Sequence, residues 1–198
     1  MPSIVRAAAS WWLIAWVAAI GGCEGARAWF GEPRADVAAP RRHASGGISF
    51  VLPGDWSVRD GLARVEDTEL RTIEVEGPGE AFLLIQSFEP AVAVDLDEQL
   101  GRTLDAMLAR LGERADLGPG ARGEVVKIHH TWLGAPRPGL RATITAPGEW
   151  APRLVELHAA PLPGRTLLVY TTIPEADRDR VQAGFDLVLD SLAVEPAP

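Results

Sequence analysis

Proline–glycine punctuation, recurring from Pro53 to Gly164, is the strongest constraint on how this chain can fold. Pro53-Gly54, Gly77-Pro78-Gly79, Gly118-Pro119-Gly120, Pro138-Gly139, Pro147-Gly148 and Pro163-Gly164 cut the sequence into short pieces. Such pairs mark turns, because proline presets φ and glycine reaches backbone conformations closed to other residues. Between them lie runs of strand length: Ile48–Leu52, Trp56–Val65, Arg71–Glu76, Ala81–Phe88, Glu124–Leu133, Leu140–Ala146, Arg153–Ala160 and Thr166–Ile173. Breaks are expected at Pro136-Arg137-Pro138-Gly139 and Pro161-Leu162-Pro163-Gly164, between the last four runs.

Two longer pieces carry a helical period. Asp95, with Glu98 three residues on, has the capping-box arrangement in which side chains satisfy orphan amides. Leu96, Leu100, Leu104, Met107, Leu108 and Leu111 then form one apolar face, the pattern of a helix packed on a core. Pro174 suits the first turn of a second helix, Glu175 and Asp177 complement its dipole, and Val181, Phe185, Val188, Leu189 and Leu192 form its buried stripe. Four strands, a helix, four strands and a helix read as an α+β fold, an antiparallel sheet with two main helices on it. At 198 residues, 47% hydrophobic, the chain has apolar material for one domain and not comfortably for two.

The first 22 residues have the grammar of an export signal: Arg6, an apolar run from Ala7 to Ile20, then small residues. That run is short for a permanent span, which needs roughly 20 apolar residues. Two processing sites compete. Ile20-Gly21-Gly22-Cys23 resembles the bacterial lipobox, whose cysteine takes a lipid, while Ala26-Arg27-Ala28 fits ordinary signal peptidase and would remove Cys23. The cysteine directly follows the apolar run, so lipidation is favoured, with the membrane as partner through acylated Cys23; a soluble periplasmic form is the alternative. Residues 23–46 lack a clean period and read as a tether, followed by a domain over 47–194 and a tail at 195–198.

GISFVLPGDW at 47–56 and FDLVLDSLAV at 185–194 resemble the PsbP-like group, which includes bacterial envelope lipoproteins similar to DcrB. Phe50, Pro53, Trp56, Phe185 and Ser191 carry the resemblance. It implies an α/β/α sandwich on a central antiparallel sheet, a place in the cell envelope, and a binding or accessory role without shared catalytic residues. The partner it implies is an envelope protein or small ligand.

Composition excludes several chemistries. A net charge of -8 argues against nucleic acid, which needs clustered cations. One cysteine cannot form an internal disulfide, and the chain has four histidines, so neither a disulfide nor a dedicated metal site is expected and no cofactor is implied. Gly118, Gly120 and Gly123 spell G-x-G-x-x-G, but they join a helix to a strand, whereas a dinucleotide site needs the reverse. Ser57, Ser87 and Ser191 lie in no nucleophile elbow.

Strand alternation leaves one polar constellation. Read with period two, Lys127 and His129 oppose Val126, Ile128, His130 and Trp132, while Arg141 and Thr143 oppose Leu140 and Ala142, and Glu156 and His158 oppose Val155 and Leu157. If the three strands are neighbours, Lys127, His129, Arg141, Thr143, Glu156 and His158 form a polar patch on one face. A solvated sheet face needs no function. The sharper reading is a ligand or partner surface, or a metal-assisted hydrolase site through His129, His158 and Glu156. Trp132, Arg137 and Trp150 are candidates for a partner-binding rim, since Trp and Arg recur at interface hot spots.

Overall fold

A computed structural model describes residues 35–112, 121–145 and 151–195. Cys23 and Ala28, the Leu111 side chain, the turns at 118–120 and 147–148, and Trp150 lie outside the described residues.

In chain order the elements are β1 (Arg41–Ser45), β2 (Ile48–Leu52), β3 (Ser57–Val65), β4 (Thr68–Glu76), β5 (Phe82–Glu89), α1 (Leu96–Gly112), β6 (Val126–Trp132), β7 (Ala135–Ile144), β8 (Arg153–Leu162), β9 (Arg165–Pro174), α2 (Arg178–Ser191) and β10 (Ala193–Val194). Seven strands form an antiparallel sheet in the order β3-β4-β5-β9-β8-β7-β6, and β1-β2-β10 form a small second sheet. The α+β sandwich expected from the sequence is the observed fold. β9 lies at the centre of the large sheet and is buried throughout.

Alternation along the central strands sorts side chains into two cores. Leu83, Ile85, Leu167 and Val169 join Val181, Phe185, Val188 and Leu189 of α2 and Phe50 of β2 on one face. Leu84, Leu140, Leu157, Leu168 and Tyr170 join Leu100, Leu104 and Met107 of α1 on the other. Burying each large apolar side chain contributes about 1.5–3 kcal/mol, so both helices are held mainly by these stripes. The Asp95 cap forms, with the Glu98 amide donating to Asp95 Oδ1 at 3.1 Å. On the opposite layer Ser191 Oγ accepts from the Val51 amide at 2.8 Å and donates to Leu187 O at 2.6 Å, tying α2 to β2.

Four local expectations are corrected. Arg41–Ser45, read as tether, is a strand: Gly46 and Gly47, at φ 54 and 73, make the two-residue turn that returns it onto β2. β7 runs through Pro136-Arg137-Pro138-Gly139, and the reversal falls at Leu133-Gly134, φ 52 and 70. Those prolines are tolerated because β7 pairs with β8 only from Gly139 onward; before that, one side of the strand has no ladder to interrupt. β8 likewise continues to Leu162 and turns at Pro163-Gly164. Pro174 ends β9, and a 3-10 turn at Glu175–Asp177 precedes α2.

Candidate functional site

The two-residue turn after Trp132 pairs Trp132 with Ala135, and this sets the register of the whole β6–β7 hairpin. Val126 therefore faces Arg141, Ile128 faces Gly139 and His130 faces Arg137, whereas Lys127 faces Leu140 and His129 faces Pro138. On β8, Glu156 is opposite Arg141, His158 opposite Gly139 and Leu154 opposite Thr143. Directly opposed residues share a face.

The six polar residues thus divide between the two faces. Arg141, Thr143, Glu156 and His158 lie on the α2 side with His130; Lys127 and His129, both exposed, lie on the α1 side with Leu140. The expected single patch is corrected, and so is the metal reading through His129, His158 and Glu156, because His129 is across the sheet from the other two. Among the described residues no three His, Cys, Asp or Glu side chains are placed to hold an ion.

What the fold builds instead is a row crossing three strands and ending on a helix. Arg141 Nε donates to Glu156 Oε1 at 2.7 Å, and its Nη2 lies 2.6 Å from the same oxygen. The other Glu156 oxygen is 3.6 Å from His158 Nε2. His130 packs edge-on to His158 with ring centroids 6.0 Å apart, and His130 Nε2 is 3.9 Å from Asp190 Oδ1 on α2. His158 is 1% exposed, and among the described residues neither ring nitrogen makes a hydrogen bond. Burial works to raise the Glu156 carboxyl, but His158 and the Arg141 guanidinium together outweigh it and hold the group below the usual carboxylate range. The row is buried at His158 and opens toward solvent at its two ends, Arg141 and Asp190.

The expected rim also divides. Trp132 is buried in the α2-side core at 1% exposure, so it packs rather than docks, and Arg137 is half-buried opposite His130. Sequence reasoning missed two clefts that the described residues form at one end of the sheet. A polar one of about 810 Å³ lies among the β1–β2, β3–β4 and β8–β9 turns. An apolar one of about 450 Å³ lies beside it, against Leu133, Leu162 and Val194. Their only sequence signal is the set of turn glycines Gly46, Gly47, Gly134 and Gly164, all at positive φ in the structure.

No protein-family model matches the chain, and no curated protein matches it. Among solved structures it is similar to the cyanobacterial PsbP protein of Synechocystis, at 16% identity over 89% of this chain and 99% of that one, TM-score 0.45. A protein from Bacteroides thetaiotaomicron is 13% identical over 79% of this chain and 48% of its own, TM-score 0.45. LpqN of Mycobacterium tuberculosis, described as involved in cell envelope biogenesis, is 12% identical over 80% of this chain and 90% of its own, TM-score 0.39. The first of these is a PsbP protein, the group the sequence resembles. With TM-scores below 0.5, the likenesses carry no argument about what the chain does.

Proposed function

We propose that the chain is an accessory protein of the bacterial cell envelope that acts by binding, held at the membrane by a lipid on Cys23. The observation that carries the non-catalytic reading is the burial of His158: an enzyme working from this sheet face would need it reachable, and it is 1% exposed. Neither cleft is lined by His129, His158 or Glu156. The anchor rests on the leader-like 1–22 segment and the cysteine that follows it; a thioether-linked diacylglycerol plus an amide-linked chain supplies the two hydrophobic anchors that stable attachment requires.

Intact-mass analysis of the native protein tests the address. An acylated amino-terminal Cys23 supports it, and a free amino terminus at Trp29 replaces the anchor with a soluble periplasmic carrier. Zinc calorimetry on the parent and on a His129→Ala, His158→Ala variant tests the binding-only reading. Stoichiometric zinc binding lost in the variant would restore the metal-assisted enzyme.

A further inference from the structure

The two clefts adjoin, and Arg165 and Glu195 line both. Their walls differ in kind. Asp67, Glu69, Glu89 and Glu195 line the larger cleft together with Arg64 and Arg165, leaving an excess of carboxylate. Asp67, Glu69 and Glu195 form no ion pair among the described residues, while Glu89 holds Arg165 at 3.1 Å. Glu69 and Glu89 are direct cross-strand neighbours on β4 and β5, a like-charge opposition that Arg165 offsets at Glu89 alone. The smaller cleft offers Leu133, Leu162, Pro163 and Val194.

Arg165 stands at the junction. Its side chain is 5% exposed, one terminal nitrogen meets Glu89, the other donates to the Gly46 carbonyl at 3.4 Å, and its Nε donor has no acceptor among the described residues. A buried donor without an acceptor is unfavourable, so a carbonyl entering at this junction would find a favourable partner there. Gly47 lines the larger cleft at φ 73, where a Cβ would stand 3.6 Å from both Arg165 and Glu195.

We infer that the adjoining clefts bind an extended peptide segment of a partner protein in which a basic residue stands beside a bulky apolar one. The ammonium or guanidinium enters the acidic cleft, the apolar side chain fills the smaller one, and a peptide carbonyl between them meets Arg165. The occupant follows from charge complementarity: the lining is acidic on a chain of net charge -8, so an anionic ligand would be opposed and a basic one steered in. The inference deepens the binding role proposed above and does not depend on the Cys23 anchor, which intact mass reads separately.

The test uses the full chain and two fluorescently labelled peptides, acetyl-Leu-Arg-Leu-amide and its charge-reversed counterpart acetyl-Leu-Glu-Leu-amide, followed by fluorescence polarisation. The Arg peptide is expected to bind at least about tenfold more tightly than the Glu peptide, a difference of about 1.4 kcal/mol, and to weaken as salt is raised. An Asp67→Asn, Glu195→Gln variant with an unchanged melting temperature should lose about that factor for the Arg peptide. Val194→Ser should weaken it without altering the salt dependence. Equal binding of the two peptides, no binding of either, or binding indifferent to the double substitution would overturn the inference. If the double variant melts lower, Glu69→Gln takes its place with the same expectation.

Discussion

Gly139 faces His158 across the β7–β8 ladder, and a Cβ placed on Gly139 would stand 2.3 Å from His158 Nδ1 and 2.9 Å from the Leu157 carbonyl oxygen. The imidazole therefore lies against bare backbone, in space that only glycine leaves open. Gly139→Ala is expected to destabilise the fold by about 1–3 kcal/mol through overpacking, read as a lower urea midpoint. Adding His158→Ala should return part of that loss, because the ring is one of the two obstacles. Strictly additive effects in the double-mutant cycle would mean that the two positions do not press on each other.

Glu156 gives the fold an acid-sensitive element. Its carboxyl is depressed in the folded protein, so its stabilising contribution is present above the unfolded carboxylate range and fades as pH falls through the folded value. Glu156→Gln should cost about 1–3 kcal/mol at neutral pH, where Arg141 loses its charged partner in a half-buried setting. The gap between parent and variant should narrow steadily below about pH 4. A pH-independent gap in urea melts would contradict this.

Glu74 has the opposite signature. It is 3% exposed; burial raises its carboxyl, Arg59 at 3.3 Å lowers it less, and Glu76 adds to the rise. An acid raised by folding contributes stability below its unfolded value and loses it as pH rises through the folded one. Glu74→Gln should thus be neutral or stabilising by up to about 1 kcal/mol at pH 7, with the difference shrinking toward about pH 4. A clear loss at pH 7 would show that the Arg59 pair outweighs burial.

Tyr170 is the only tyrosine in the chain, which makes its ionisation directly visible in the ultraviolet. Desolvation dominates and pushes the phenol up to about 12, with Arg153 and Thr172 pulling weakly the other way. A raised acid of this kind adds stability below its unfolded value, near 10, and loses it as pH climbs toward 12. An alkaline titration should show tyrosinate forming about two units late, or jumping as the protein unfolds. A smooth transition near 10 would place the ring in water.

Elements whose own residues state their surroundings were legible in the sequence. Leu96, Leu100, Leu104 and Met107 repeat with the helical period, and Asp95 announces where that helix begins, so α1 could be read directly. β1 could not, since Arg41-Arg42-His43-Ala44-Ser45 offers no apolar alternation; its strand character comes from the Gly46-Gly47 turn and from β2 beside it. The same limit divided the polar patch. Alternation places His129 and His130 on opposite faces, but which face meets Glu156 depends on how many residues the turn at Leu133-Gly134 takes, and a shift of one exchanges the two sides. The clefts were further out of reach, because Asp67, Gly164 and Glu195 come from turns and ends far apart in the chain.

The β1-β2-β10 sheet has a mechanical meaning. β1 and β10 flank β2 and run parallel to each other, so Arg41 lies at the Leu52 end and Val194 at the Ile48 end. A load applied between the two ends of the described domain pulls the flanking strands in opposite directions along β2. The hydrogen bonds on either side are then sheared together instead of being peeled one at a time. Short as it is, this second sheet works as a clasp, and tension drawn through the chain must open it before reaching the seven strands behind.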